Sequence, residues 1–104
     1  MEDMEMISFK IISAVGEAKS DYIMAMEEAE NGNFEKADEL IKEGEKVFLN
    51  GHLAHAQLIS KEASGEKVEV SLLLMHAEDQ LMSAEVTKLM AIKIINLNKQ
   101  LRQK

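Results

Sequence analysis

Ser71-Leu-Leu-Leu-Met-His-Ala-Glu-Asp-Gln-Leu-Met-Ser83 is a strongly apolar helical run with four polar residues, His76, Glu78, Asp79 and Gln80, set into its centre. His76 and Asp79 are three residues apart, so in a helix they lie one above the other on nearly the same face. Steps of three and four from Asp79 reach Met75, Met82, Val86 and Leu89, which places a carboxylate inside an otherwise apolar seam. A carboxylate buried alone would protonate or take a partner. This level of the helix therefore calls for a cation, a hydrogen-bond network or a neighbouring subunit.

The same helix carries a second apolar stripe, Val70, Leu74, Ala77, Leu81, Ala84, Ala91 and Ile95, on a different side from Met75, Met82, Val86, Leu89 and Met90. A helix of a monomeric bundle needs one apolar face, so two predict packing against other copies of the chain. Upstream, Asn31-Gly32-Asn33 and Ser64-Gly65 are the two turn signals, with Gly32 suited to a left-handed helix end and Asn33 placed to cap the next helix. Before them, Met4, Ile7, Ile11, Ala14, Ala18, Tyr22, Ala25 and Ala29 keep three-four spacing, and between them so do Ala37, Ile41, Gly44, Phe48, Gly51, His55, Leu58 and Glu62. Gly16 sits mid-helix, and Gly44 and Gly51 lie one heptad apart on a packing stripe; close approach of a neighbouring helix is the simplest reason for each. The pattern predicts an all-α fold: one domain over 1–104, with helices at about 3–31, 33–64 and 66–103 arranged up-down-up. Each helix should be roughly 40–55 Å long at 1.5 Å per residue.

Composition excludes several function classes. The chain has 104 residues, no Pro, no Cys and no Trp, so it has no disulfide framework, no thiol chemistry and no proline to break long helices. No apolar run approaches a membrane span and the start lacks a signal-peptide pattern, which predicts a cytoplasmic protein without membrane insertion. A net charge of −7 disfavours nucleic acid and anionic lipid as partners. The imbalance is uneven: thirteen acids and five bases in residues 1–50, against six and seven in the rest. Beyond Glu85 every charged side chain is basic (Lys88, Lys93, Lys99, Arg102, Lys104), a distribution that complements the negative end of a helix.

Segments along the whole chain resemble one family. They are Ala14-Val-Gly-Glu-Ala-Lys-Ser20, Asn31-Gly-Asn-Phe34 with Ala37 and Leu40-Ile-Lys-Glu-Gly44, Lys61-Glu-Ala-Ser-Gly65, and Ser71 to Met82. The chain resembles the enzyme IIA component of the lactose/cellobiose (chitobiose) branch of the bacterial sugar phosphotransferase system, whose phosphorylation motif is His-x-x-Asp-His-Leu-Met. The resemblance implies a homotrimer and a phosphohistidine relay. His76 would accept a phosphoryl group from the carrier HPr and pass it to a cysteine of a IIB component, for uptake of a β-linked disaccharide. It also implies that Asp79 lies on the threefold axis, where three copies share a divalent metal, Mg. Two positions depart from the pattern. Gln80 stands where the family has histidine, and His55, three residues after His52, stands where it has glutamine. His52, His55 and Gln80 are thus candidate supporting residues, and the exchange suggests that His55 and Gln80 face each other across helices two and three.

The chemistry is sound on its own terms. A neutral imidazole nitrogen is a nucleophile near pH 7, and transfer depends on positioning and charge stabilisation. The nearby carboxylates would repel the anionic group unless turned away or neutralised, which assigns Asp79 to assembly. A carboxylate-bridged di-metal bundle is disfavoured because the core stripes are too apolar, and the eight methionines read as adaptable core. The competing function is a non-catalytic trimeric helical adaptor. The resemblance implies that the choice of sugar resides in the permease.

Overall fold

The computed structural model describes residues 3–103 and folds them as three helices, α1 (Met4–Glu30), α2 (Phe34–Ala63) and α3 (Leu72–Arg102). Two glycine turns set the antiparallel order. At the first, Gly32 takes φ +83°, its N–H donates to Ala29 O (3.0 Å), and Asn33 N–H donates to Glu28 O (2.8 Å). That pair of bonds is a Schellman motif, which satisfies the last carbonyls of α1. Gly65, at φ +95°, repeats it at the end of α2, where Gly65 N–H donates to Glu62 O and Glu66 N–H to Lys61 O. Asn33 holds the N-cap position of α2 without a side-chain cap bond; its amide donates instead to Glu28 Oε1 (3.1 Å).

Helix α3 starts later than the sequence pattern suggests. Residues 66–71 are non-helical and the helix opens at Leu72, because Ser71 caps it: Ser71 is extended and its Oγ accepts from Leu74 N–H (3.0 Å). The β-branched Val68 and Val70 suit the extended connection. Val68 packs against the lower core while Val70, expected on the inner stripe, is exposed.

Helix α1 is the centre of the packing and buries Ser8, Ile11, Val15, Ala18, Tyr22, Ala25 and Ala29. Around it the core divides along the bundle axis. One cluster gathers Ala18, Tyr22, Ala25, Ala29, Ala37, Ile41, Ala91 and Ile95; the other gathers Ile11, Val15, Leu58, Leu74, Ala77, Leu81 and Ala84. So many alanines let helices approach closely, and the molecule is a narrow rod of 56 × 20 × 19 Å. Both heptad-spaced glycines serve that approach. A Cβ on Gly44 would lie 2.5 Å from Tyr22 Cε1, and one on Gly51 2.9 Å from Val15 Cγ1. Gly16 does not follow them: it is exposed, and a Cβ there would meet nothing within 4 Å.

Helices α2 and α3 are bridged by polar pairs rather than by a continuous core. Lys99 reaches Asp38 (3.2 Å), Lys88 reaches Glu45 (3.1 Å), and His55 reaches Glu78. Arg102 donates to Glu30 O (3.2 Å) at the end of α1. Three of the bases after Glu85 therefore tie α3 to its neighbours instead of complementing its own dipole; Lys104 lies outside the described residues. Partly exposed pairs of this kind contribute about 0–1 kcal/mol each. On the α1–α2 side, burial and then the carboxylates of Glu43 and Glu17 raise Asp21 above its ordinary value.

Candidate functional site

His76 is the fifth residue of α3 and is exposed. Its ring makes no hydrogen bond or ion pair with the described residues. Helical side chains lean toward the helix N-terminus, which tilts the imidazole over the opening turn of α3. That turn holds no acidic residue, unlike those of α1 (Glu5) and α2 (Glu35). The positive end of the α3 dipole is thus free to favour a negative group placed there, by about 0.3–1 kcal/mol at an exposed site.

The face of α3 above His76 is polar. Gln80, half-buried, is one turn on, and Ser83, two turns on, accepts a hydrogen bond from Lys19 Nζ of α1 (2.9 Å). Thr87 donates to the Ser83 carbonyl (2.8 Å). Lys19 is therefore a cation held on the same side as His76, about 10 Å further along the helix at 1.5 Å per residue. Sequence reasoning gave Lys19 no role, because nothing local signals a contact between residues 64 positions apart.

The expected facing of His55 and Gln80 does not form. His55 Nε2 lies 2.5 Å from Glu78 Oε1, the ring donating its proton to the carboxylate. Glu78 is two residues from both His76 and Gln80, about 200° around the helix, so within one chain His55 is on the opposite side of α3 from both. His52 is exposed and stacks on Phe48, with ring centroids 6.4 Å apart. Of the candidate residues, the chain brings Gln80 and His76 to one face and leaves His52 and His55 elsewhere.

Asp79 is exposed, not buried as its neighbours in sequence suggest. The stripe that contains it is exposed with it: Met75 57%, Met82 61%, Val86 54% and Leu89 59%. The second apolar face of α3 is thus left uncovered by its own chain. Among the described residues no group of three or more His, Cys, Asp or Glu side chains could hold a metal ion. Asp79 offers one carboxylate, and a metal there would need ligands from further copies. The cleft between α2 and α3, about 350 Å³ and lined by Tyr22, Glu45, Phe48, Glu85, Lys88 and Leu89, does not include His76.

Among the described residues no helix is long and apolar enough to cross a membrane. Residues 6–99 match the family described as PTS system, Lactose/Cellobiose specific IIA subunit. The chain is 36% identical over 87 residues to the lactose-specific EIIA component of Staphylococcus aureus (strain N315), covering 84% of each. To that of Lactococcus lactis subsp. lactis it is 35% identical over 98 residues, covering 94% of this chain and 93% of the relative. In fold it is similar to the crystal structure of the PTS cellobiose-specific enzyme IIA from Bacillus anthracis, with a TM-score of 0.94 at 36% identity over 100% of this chain and 96% of that one. The three-helix fold and these matches along almost the whole chain thus make it a member of the lactose/cellobiose-specific IIA family, a phosphotransferase component that carries a phosphoryl group in sugar uptake.

Proposed function

We propose that His76 is the acceptor, taking the phosphoryl group from HPr and yielding it to a cysteine of a IIB component on the cytoplasmic side of the membrane, in uptake of a β-linked disaccharide. A P–N bond forms at His76 as the bond to the donor breaks, and is exchanged for a P–S bond on the acceptor. The observation that carries this reading is the exposure of His76 at the start of α3, without a hydrogen-bond or ion-pair partner among the described residues. The acid-free first turn favours the added negative charge. Gln80, one turn on along the same face, would contact the ring or the bound group, and Lys19, held by Ser83, would add positive charge above it.

The uncovered stripe of α3 supports a homotrimer packed through that helix, with Asp79 of each copy turned to a common axis. Three carboxylates brought together need a compensating cation. Asp79 would hold a divalent ion such as Mg there, whose chemistry is charge neutralisation and assembly.

The test is intact mass after incubation with phosphoenolpyruvate, enzyme I and HPr. Wild type should gain one acid-labile phosphoryl group per chain and His76→Ala none. Equal gain in the variant, or no gain in wild type beside a relative that is phosphorylated in the same mixture, refutes the assignment.

A further inference from the structure

The exposed stripe of α3 runs Met75, Asp79, Met82, Val86, Leu89, Lys93 and Leu97, and Asp79 and Lys93 are the two charged residues on it. They are fourteen positions apart, two heptads, so they occupy equivalent places on the helix about 21 Å from one another. Even in a straight helix the drift over two heptads is only about 40°, which keeps both on the stripe. Lys93 differs from the other described bases near it. Lys88 is paired with Glu45, Lys99 with Asp38, and Arg102 with Glu30 O. Lys93 is exposed and makes no hydrogen bond or ion pair with the described residues. Its neighbours along the stripe are apolar, Val86, Leu89, Met90 and Leu97, all more than half exposed.

We infer that the trimer carries an oxyanion site at Lys93, a ring of three ammonium groups, one per copy, closed around one tetrahedral oxyanion such as inorganic phosphate or sulfate. This rests on the homotrimer proposed above, since one chain supplies a single ammonium. Packing three copies in parallel through the stripe brings three Lys93 side chains together. Their repulsion has no acid on the stripe to offset it except Asp79, which lies beyond the screening length of about 8–10 Å. A tetrahedral oxyanion on a threefold axis presents three equivalent oxygens, one to each ammonium, in charge-assisted hydrogen bonds. The ring is seventeen residues from His76, about 25 Å along α3, so this anion is not the transferred phosphoryl group.

Sedimentation equilibrium comes first and must give three chains per particle. Calorimetric titration with inorganic phosphate, at ionic strength held constant with potassium chloride, then compares wild type, His76→Ala and Lys93→Met. Wild type and His76→Ala should bind one phosphate per three chains. Lys93→Met should remain trimeric, lose at least about tenfold in phosphate affinity, and dissociate at lower chain concentration than wild type in phosphate-free buffer, because the repulsion is gone. A trimeric wild type that takes up no phosphate, takes up one per chain, or binds as well after Lys93→Met overturns the anion site while leaving the trimer standing. A dimer, in which an antiparallel pairing centred on Val86 would set Asp79 against the Lys93 of a second copy, overturns both.

Discussion

Replacing Gly44 with alanine adds a Cβ that would lie 2.5, 2.9 and 3.1 Å from Cε1, Cδ1 and Cζ of Tyr22. The ring is fully buried and packed in the core cluster with Ala18, Ile41 and Ala91, so relieving the contact must shift the ring toward the adjoining cleft or separate the helices. Overpacking of a filled core costs about 1–3 kcal/mol, and a contact this short belongs at the upper end. Against that, Gly→Ala inside a helix gains about 1 kcal/mol in backbone propensity. The net expectation is a loss of about 2 kcal/mol, or roughly 10 °C in Tm for a chain of this size. Gly16→Ala makes the same chemical change at a helical position with nothing within 4 Å, and should gain about 1 kcal/mol. The two variants thus differ by about 3 kcal/mol of purely steric origin. Urea unfolding followed by circular dichroism measures both, at one fixed chain concentration because assembly adds to apparent stability. Gly44→Ala should also be nearly harmless in a Tyr22→Leu background. If Gly44→Ala is as stable as wild type, or costs as much after Tyr22→Leu, the tight α1–α2 seam is refuted.

The Tyr22 hydroxyl is buried and makes no hydrogen bond with the described residues, so Tyr22→Phe should stabilise the chain by about 1 kcal/mol by removing an unsatisfied polar group. Burial, then the nearby Glu45 and Asp21 carboxylates, push this hydroxyl from 10 up to about 12. The unfolded chain therefore releases its proton first, and the stability held below pH 10 is lost as pH rises toward 12. Wild type should lose ground to Tyr22→Phe across that window in denaturation measured at several pH values, and parallel curves would contradict the burial of the hydroxyl. Chelation of divalent ions should shift wild type toward monomer in sedimentation. Asp79→Leu, which removes the carboxylate, should assemble equally well with or without chelator. An equal response of the two proteins would show that Asp79 does not hold the ion.

The three helices and both turns were legible in the chain because their signals are local. Three-four periodicity, two glycines at helix ends and the absence of proline each act within one or two turns of backbone. His76 stood out in the chain for the same reason, since the polar residues around it are contiguous, and the structure leaves it exposed on α3. The start of α3 was misread because Ser71, a hydroxyl just before an apolar run, competes with a helical pattern that continues backward through Glu66. The partners of His55 and Lys19 were not legible. His55 takes Glu78 in place of Gln80, and Lys19 finds Ser83 across 64 residues, because a cross-helix contact depends on how far α2 and α3 slide and rotate against α1. Composition and periodicity leave that rotation undetermined by a residue or two, and two residues is about 200° of helix.

By itself, then, the sequence determined three amphipathic helices, their order, two close-packed glycines, and a histidine and an aspartate one turn apart on the third helix. Only the tertiary structure decided which face of α3 is spent on its own chain. Leu74, Ala77, Leu81, Ala84, Ala91 and Ile95 close over α1, while Met75, Met82, Val86 and Leu89, no less apolar, stay open to solvent. The hydrophobic effect is non-directional and would bury either stripe. The alanines settle the choice, because a small side chain lets the α3 backbone come close enough to α1 to fill the space between them, and the bulky methionines cannot.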